Sequence, residues 1–113
     1  MTEQQIIKTL ATEVMGWHID TPYWSERKVW VKSPTQYDWI ENWNPLKNLA
    51  DAMQLVMRFE TWQVTNMGDF KYRATVKANP YTAYGATPEE AICKAVMKVV
   101  AEHFGSFGKG IKA

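Results

Sequence analysis

The chain has 113 residues, 46% hydrophobic and 22% charged, with a formal net charge of +1. That is one domain's worth of a folding, non-disordered composition, and the near-zero charge gives no whole-molecule attraction for nucleic acid or an anionic membrane. The lone cysteine, Cys93, excludes an internal disulfide and any multi-cysteine metal site.

The first predicted element is a helix over residues 3–15. Thr2 can cap it and Gln5 completes a capping box. Ile6, Ile7, Leu10, Ala11, Val14 and Met15 follow at helical spacing. Gly16 supplies a left-handed stop, after which Trp17 can fold back onto the last turn. This segment is amphipathic and carries acidic residues, unlike a signal peptide. With no run near the ~20 apolar residues of a membrane span, a cytoplasmic location without membrane partners is expected.

From Trp17 to Trp43 no long period appears, although the span holds Trp17, Tyr23, Trp24, Trp30, Tyr37, Trp39 and Trp43. "KVWVK" (28–32) alternates as a short strand does, with Pro22 and Pro34 on either side. The rest reads as a long irregular segment, which is usually functional or held down by its own side chains. Trp24, Trp30, Tyr37 and Trp39 are therefore candidate binding residues. Flat rings beside polar groups can stack on a planar ligand, worth about 1–3 kcal/mol per nucleobase. Turned inward, the same rings would instead pin the loop, the commoner outcome.

Asn44 as cap and Pro45 at the first position predict a second helix over 45–58. Its buried face would carry Leu46, Leu49, Ala50, Met53, Val56 and Met57. Trp43, just before the cap, suits a hydrophobic staple; Trp39 has no such role.

"TWQVTNMGDFKYRATVKA" reads as a hairpin with its turn at Asn66–Asp69. In the second strand Tyr72, Ala74, Val76 and Ala78 face one way, and Lys71, Arg73, Thr75 and Lys77 the other. Lys71, Arg73 and Lys77 could receive phosphates or an acidic partner, or form a solvated face that a covering helix would make costly. "YTAY" (81–84) can return as another strand.

The last helix starts at Thr87 (cap), with Pro88 at its first position and Glu90 closing a capping box. Gly105 ends it, so residues 1–104 form a single domain and 105–113 a glycine-rich tail. Ile92, Cys93, Ala95, Val96, Met97, Val99, Val100 and Phe104 spread over more than half its circumference. Helix 2 is similarly broad once Leu55 and Phe59 are counted. Such arcs predict a second neighbour for each helix, another helix or another subunit. The expected architecture is α+β, an antiparallel sheet of three to four strands layered with three helices, in a homo-oligomer.

"WNPLKNLADAMQLVMRF", the hairpin leading into "ATPEEAICKAVMKVV", and the preceding "ATEVMGW" stand together in order. The combination resembles the phage ABA sandwich domain family over residues 8–102. The resemblance implies an alpha-beta-alpha sandwich and a phage or prophage origin, and it brings no catalytic residues. Segment 18–43 is its least family-like part.

Chemistry-bearing constellations are sparse. Two histidines and one cysteine show no ligand spacing, so no metal or cofactor is expected. Cys93 falls on an apolar arc, where a thiol acts as a small hydrophobe. "GSFGKG" follows a helix instead of a strand, unlike a phosphate loop, and Glu89 and Glu90 at a helix start argue against a double-stranded RNA binder. The leading expectation is a phage accessory protein that binds a host protein or a nucleotide-like ligand without catalysis, with a counter-defence role as one form of it. One alternative is a small enzyme pairing His18 or His103 with Asp38 or Glu41. The other is a nucleic-acid module using Lys71, Arg73 and Lys77.

Overall fold

The computed structural model describes residues 2–77 and 81–104, with His103 and Phe104 described by backbone alone. Ala78, the His103 side chain and the tail 105–113, which figure in the expectations above, lie outside the described residues.

The first helix begins as its capping pattern predicts. The Thr2 hydroxyl accepts from the Gln5 N–H (3.1 Å) and the Gln5 side chain accepts from the Thr2 N–H (2.8 Å). α1 (Glu3–Thr9) runs on through a π-helical turn, Leu10–Val14. Gly16, at φ +76°, stops it, and Trp17 turns back into the core. Arg58 Nη2 donates to the Met15 carbonyl (3.2 Å), satisfying one of the acceptors a helix end leaves open.

Segment 18–43 is not an irregular loop. It forms an antiparallel sheet of β1 (His18–Asp20), β2 (Val29–Ser33) and β3 (Gln36–Trp39), with β2 in the centre. Only β2 matches the predicted strand. β1 and β3 have three and four residues, too few for a period of two to register against noise.

The second helix starts four residues later than predicted. The Asn44 side chain accepts from the Leu46 N–H (3.0 Å), and the Asn44 carbonyl accepts from Lys47 and Asn48 (3.1 and 2.9 Å), closing a separate turn. The chain leaves helical geometry at Asn48 (φ −127°, ψ 118°), whose side chain caps α2 (Leu49–Val56) by accepting from the Asp51 N–H. Two asparagines four positions apart give two equivalent start signals. The choice is tied down by the Asp51 carboxylate, which accepts from the Asn44 N–H at 2.9 Å. The buried face also differs from the predicted one: Ala52, Leu55 and Val56 are inside, whereas Leu49, Ala50 and Met57 are exposed.

The second sheet is β4 (Trp62–Gly68), β5 (Lys71–Val76) and β6 (Thr82–Gly85), antiparallel with β5 central. Gly68 pairs with Lys71, so the hairpin loop is Asp69–Phe70, later than predicted. Both loop residues have positive φ, 53° and 56°, the signature of the turn that matches strand twist. α3 (Pro88–Val99) follows, continued by a π-helical turn, Val100–Phe104. Its Thr87 hydroxyl accepts from the Glu90 N–H (3.1 Å), while the Glu90 carboxylate accepts from Ala86 (2.6 Å), one residue earlier than in a capping box.

The fold is therefore α+β, with three α-helices and two three-stranded antiparallel sheets among the described residues. α3 is its centre. One side packs on β5 and β6, and another on α2 and the turn that ends α1. Its broad apolar arc is thus used within the chain: Ala91, Ile92, Ala95, Val96 and Val99 meet Ala74, Val76, Ala83, Leu55 and Leu10 in one cluster.

Candidate functional site

Three tryptophans enter the core. Trp17 stands edge-on to Trp43 (5.0 Å between ring centres) and 6.3 Å from Trp30. Trp30, a predicted binding residue, is 1% exposed and presents no surface to a partner. Its indole N–H is buried without a hydrogen-bond partner among the described residues.

The other predicted rings lie on the opposite face of the first sheet. Register places His18, Val31 and Tyr37 in one row across β1, β2 and β3, and Asp20, Val29 and Trp39 in the next; residues directly opposite share a face. Trp24, from the loop 21–28, stands edge-on to Trp39 at 5.8 Å. The Arg27 guanidinium lies 3.9 Å from the centre of the Trp39 ring, and it pairs with Glu41. Val29 is buried beneath this group yet outside the main core cluster. Trp24 (57%) and Tyr37 (54%) remain exposed, and Tyr23 is fully exposed. The result is a ring-and-guanidinium platform formed by Trp39 of the first sheet and the loop 21–28. It answers the question of Trp39, which covers Val29 and carries Arg27.

Among the described side chains, the predicted acid–base pair of His18 and Asp38 does not converge. His18 shares the outer face with Tyr37, so Asp38, the next residue, points inward alongside Trp30. There Asp38 meets Lys32 (3.6 Å) and accepts from Asn42 Nδ2 (2.8 Å) and the Trp39 N–H (2.9 Å). Glu41 is engaged by Arg27.

The predicted cationic strand face is split. Lys71 and Arg73 point away from α3, which covers only the Ala74 and Val76 side. That resolves the cost of burying them. Lys71 Nζ sits 4.9 Å from the Tyr84 ring centre. Lys77 lies beyond β5 at φ +68°, where the chain leaves the sheet, with Nζ 5.9 Å from the Tyr81 ring centre. A pleat of three cations becomes a pair. Cys93 is buried, and burial, with the Glu89 carboxylate adding to it, pushes its thiol up to about 12. A thiol so raised is no nucleophile near neutral pH.

A feature absent from the sequence reading is a groove of about 860 Å³ beside β6. Ile6, Leu46, Ala83 and Met97 line its floor, with Lys94 and Lys98 among its charged residues. Its walls come from α1, the Asn44 turn, β6 and α3, so no local pattern announces it.

Residues 8–97 match the model of the phage ABA sandwich domain family. A solved structure of a phage protein from Bacillus cereus is similar in fold, with 22% identity, 88% of each chain covered and a TM-score of 0.62. No curated protein matches the chain. No helix among the described residues is long and apolar enough to cross a membrane. Most of the chain falls inside the family match and its fold agrees with a solved phage protein, so the chain belongs to the phage ABA sandwich domain family.

Proposed function

We propose that this phage accessory protein works by binding, without catalysis, and that it holds a protein of the infected cell's cytoplasm on the outer face of its first sheet. The observation that carries this reading is the Trp24–Trp39 pair with Arg27 on the Trp39 ring, standing outside the core beside exposed Tyr37. Trp, Tyr and Arg dominate the energetic centres of protein interfaces. An exposed cluster of rings on a polar surface marks an interaction site. A nucleotide-like ligand is less well served here, because small molecules are held in concave sites that bury most of their surface. Countering a host defence factor is one role such binding would support.

The test is capture from bacterial extract by immobilised wild type, Trp24→Ala and Tyr37→Ala, each checked for native circular dichroism. A host protein retained by wild type and weakened at least about 30-fold in both variants, the effect of losing one interface anchor, supports the reading. Equal retention by all three overturns it. So does quenching of tryptophan emission by members of a nucleotide panel when that quenching is lost in Trp24→Ala, which would return the platform to a small ligand.

A further inference from the structure

β4 stands at one end of the second sheet, with β5 on one side and no strand on the other. The Thr61 carbonyl accepts from the Lys77 N–H (2.8 Å), which makes residues 61 and 77 a bonded pair of the ladder. Bonded and non-bonded pairs alternate along an antiparallel register. Gln63 and Thr65 therefore bond to Thr75 and Arg73, while Trp62, Val64 and Asn66 turn their N–H and C=O groups outward. The same alternation turns the Thr82 carbonyl outward at the far edge, and there Lys98 Nζ donates to it. Among the described residues nothing meets the outward groups of β4. Native edges are usually blunted by short length, a proline, a charge or a bulge. β1, β3 and β6 are short, with three, four and four residues. β4 has seven, with no charge and no proline among them, and its register shift lies at the hairpin end, between Asn66 and Gly68.

Only another strand satisfies such an edge, and β4 itself meets the requirements. A two-fold axis at Val64 sets Trp62 opposite Asn66 of a second copy, Val64 opposite Val64, and Asn66 opposite Trp62. All three pairs are of the outward-facing kind, so each exchanges two bonds, about six in all. Moving the axis by one residue either way leaves only two such pairs within the regular part of the strands. Between them Gln63 meets Thr65, an amide beside a hydroxyl, and no charge on β4 meets its own copy. The layers fit as well. Trp62, Val64 and Asn66 share the α3 side with Val76, Ala74 and Tyr72, and Trp62 is 40% exposed there. α3 packs on β5 and β6, so the second copy's α3 stands at least three strand spacings away, about 14 Å. That is outside the about 8–10 Å of packed helices, and the Trp62 rings lie in the space between. The β5 backbones that carry Lys71 and Arg73 are separated by the same spacing, more than a Debye length of about 10 Å at 0.1 M salt. A foreign strand finds the same backbone bonds, but a second copy brings them symmetrically, uses up both edges and closes the assembly.

We propose that β4 pairs with β4 of a second copy, antiparallel about Val64, joining the two second sheets into one continuous sheet in a homodimer. This uses residues other than the Trp24–Trp39 platform and does not depend on the reading of that face. Two measurements test it. Sedimentation and light scattering should give a dimer for wild type at about 100 μM and a monomer for Val64→Pro, whose dissociation constant rises at least about 30-fold. Val64 donates no bond to β5, so the proline removes an outward donor and spares the ladder within the chain; native circular dichroism checks this. The second measurement needs no proline. In a Cys93→Ala background, Gln63→Cys mixed with Thr65→Cys should oxidise to a mixed disulfide dimer faster than either variant does alone, because these positions face each other as a close non-bonded pair, about 4.5 Å between Cα atoms. A monomeric wild type at that concentration overturns the proposal, including one that binds a foreign strand instead. A folded Val64→Pro variant that stays dimeric overturns it too, as does cross-linking of Gln63→Cys to itself in preference to Thr65→Cys.

Discussion

The indole N–H of Trp43 donates to Oε1 of Gln54 at 2.9 Å, tying the residue before the Asn44 turn to the body of α2. Trp43 also fills the core edge-on to Trp17, so its ring acts through packing and its N–H through orientation. Gln54→Ala removes the acceptor and leaves the donor of a buried ring poorly satisfied. The expected loss is about 1–2 kcal/mol. Trp43→Ala removes the ring itself and is expected to cost about 3–5 kcal/mol. Urea unfolding of both variants checks the ranking, and a Gln54→Ala variant as stable as wild type would mean that the hydrogen bond does not position the ring.

At Gly85 the β6 backbone lies against the start of α3. A methyl group there would meet the Ala91 nitrogen at 2.8 Å and the Glu90 Cβ at 2.9 Å. Backbone has to move to relieve the first contact, and the Glu90 carboxylate also holds the Ala86 N–H. Gly85→Ala should therefore destabilise by about 1–3 kcal/mol, read as a lowered thermal midpoint.

Cys93 links stability to alkaline pH. Its folded thiol is raised from an ordinary value of 9.0 to about 12. The unfolded chain loses this proton first as pH rises, so the group's contribution is fully present below pH 9 and is lost as pH climbs toward 12. Wild type should lose more stability between pH 8 and pH 10.5 than Cys93→Ala does, in paired urea titrations. For the same reason native protein at pH 8 should resist alkylation until it is unfolded.

Two tryptophans of similar prominence in the sequence should behave oppositely. Trp24 is largely exposed, whereas Trp17 is buried between Trp30 and Trp43. Trp24→Ala should cost under about 1 kcal/mol and Trp17→Ala about 3–5 kcal/mol. Comparable losses would show that Trp24 is a structural anchor, and the platform would lose its functional meaning.

The sequence by itself determined those features in which a side chain answers its own neighbouring backbone. Thr2 and Thr87 cap as their spacing predicts, Gly16 takes the left-handed stop, and β2, β4 and β5 follow readable alternation. Such signals act over a few residues and need no partner from afar. Where two local signals tied, as at Asn44 and Asn48, the longer contact from Asp51 to Asn44 chose between them. Only the tertiary structure decided that segment 18–43 is a sheet, because three- and four-residue strands carry no period and exist through their pairing with β2. It also decided which rings are inside. Trp30 and Trp39 read alike in sequence, and it is the packing of Trp17 and Trp43 against one face of the first sheet that buries the former and leaves the latter to hold Arg27 outside. The groove beside β6 belongs to the same class: its walls are far apart along the chain, and burial and concavity arise only once layers meet.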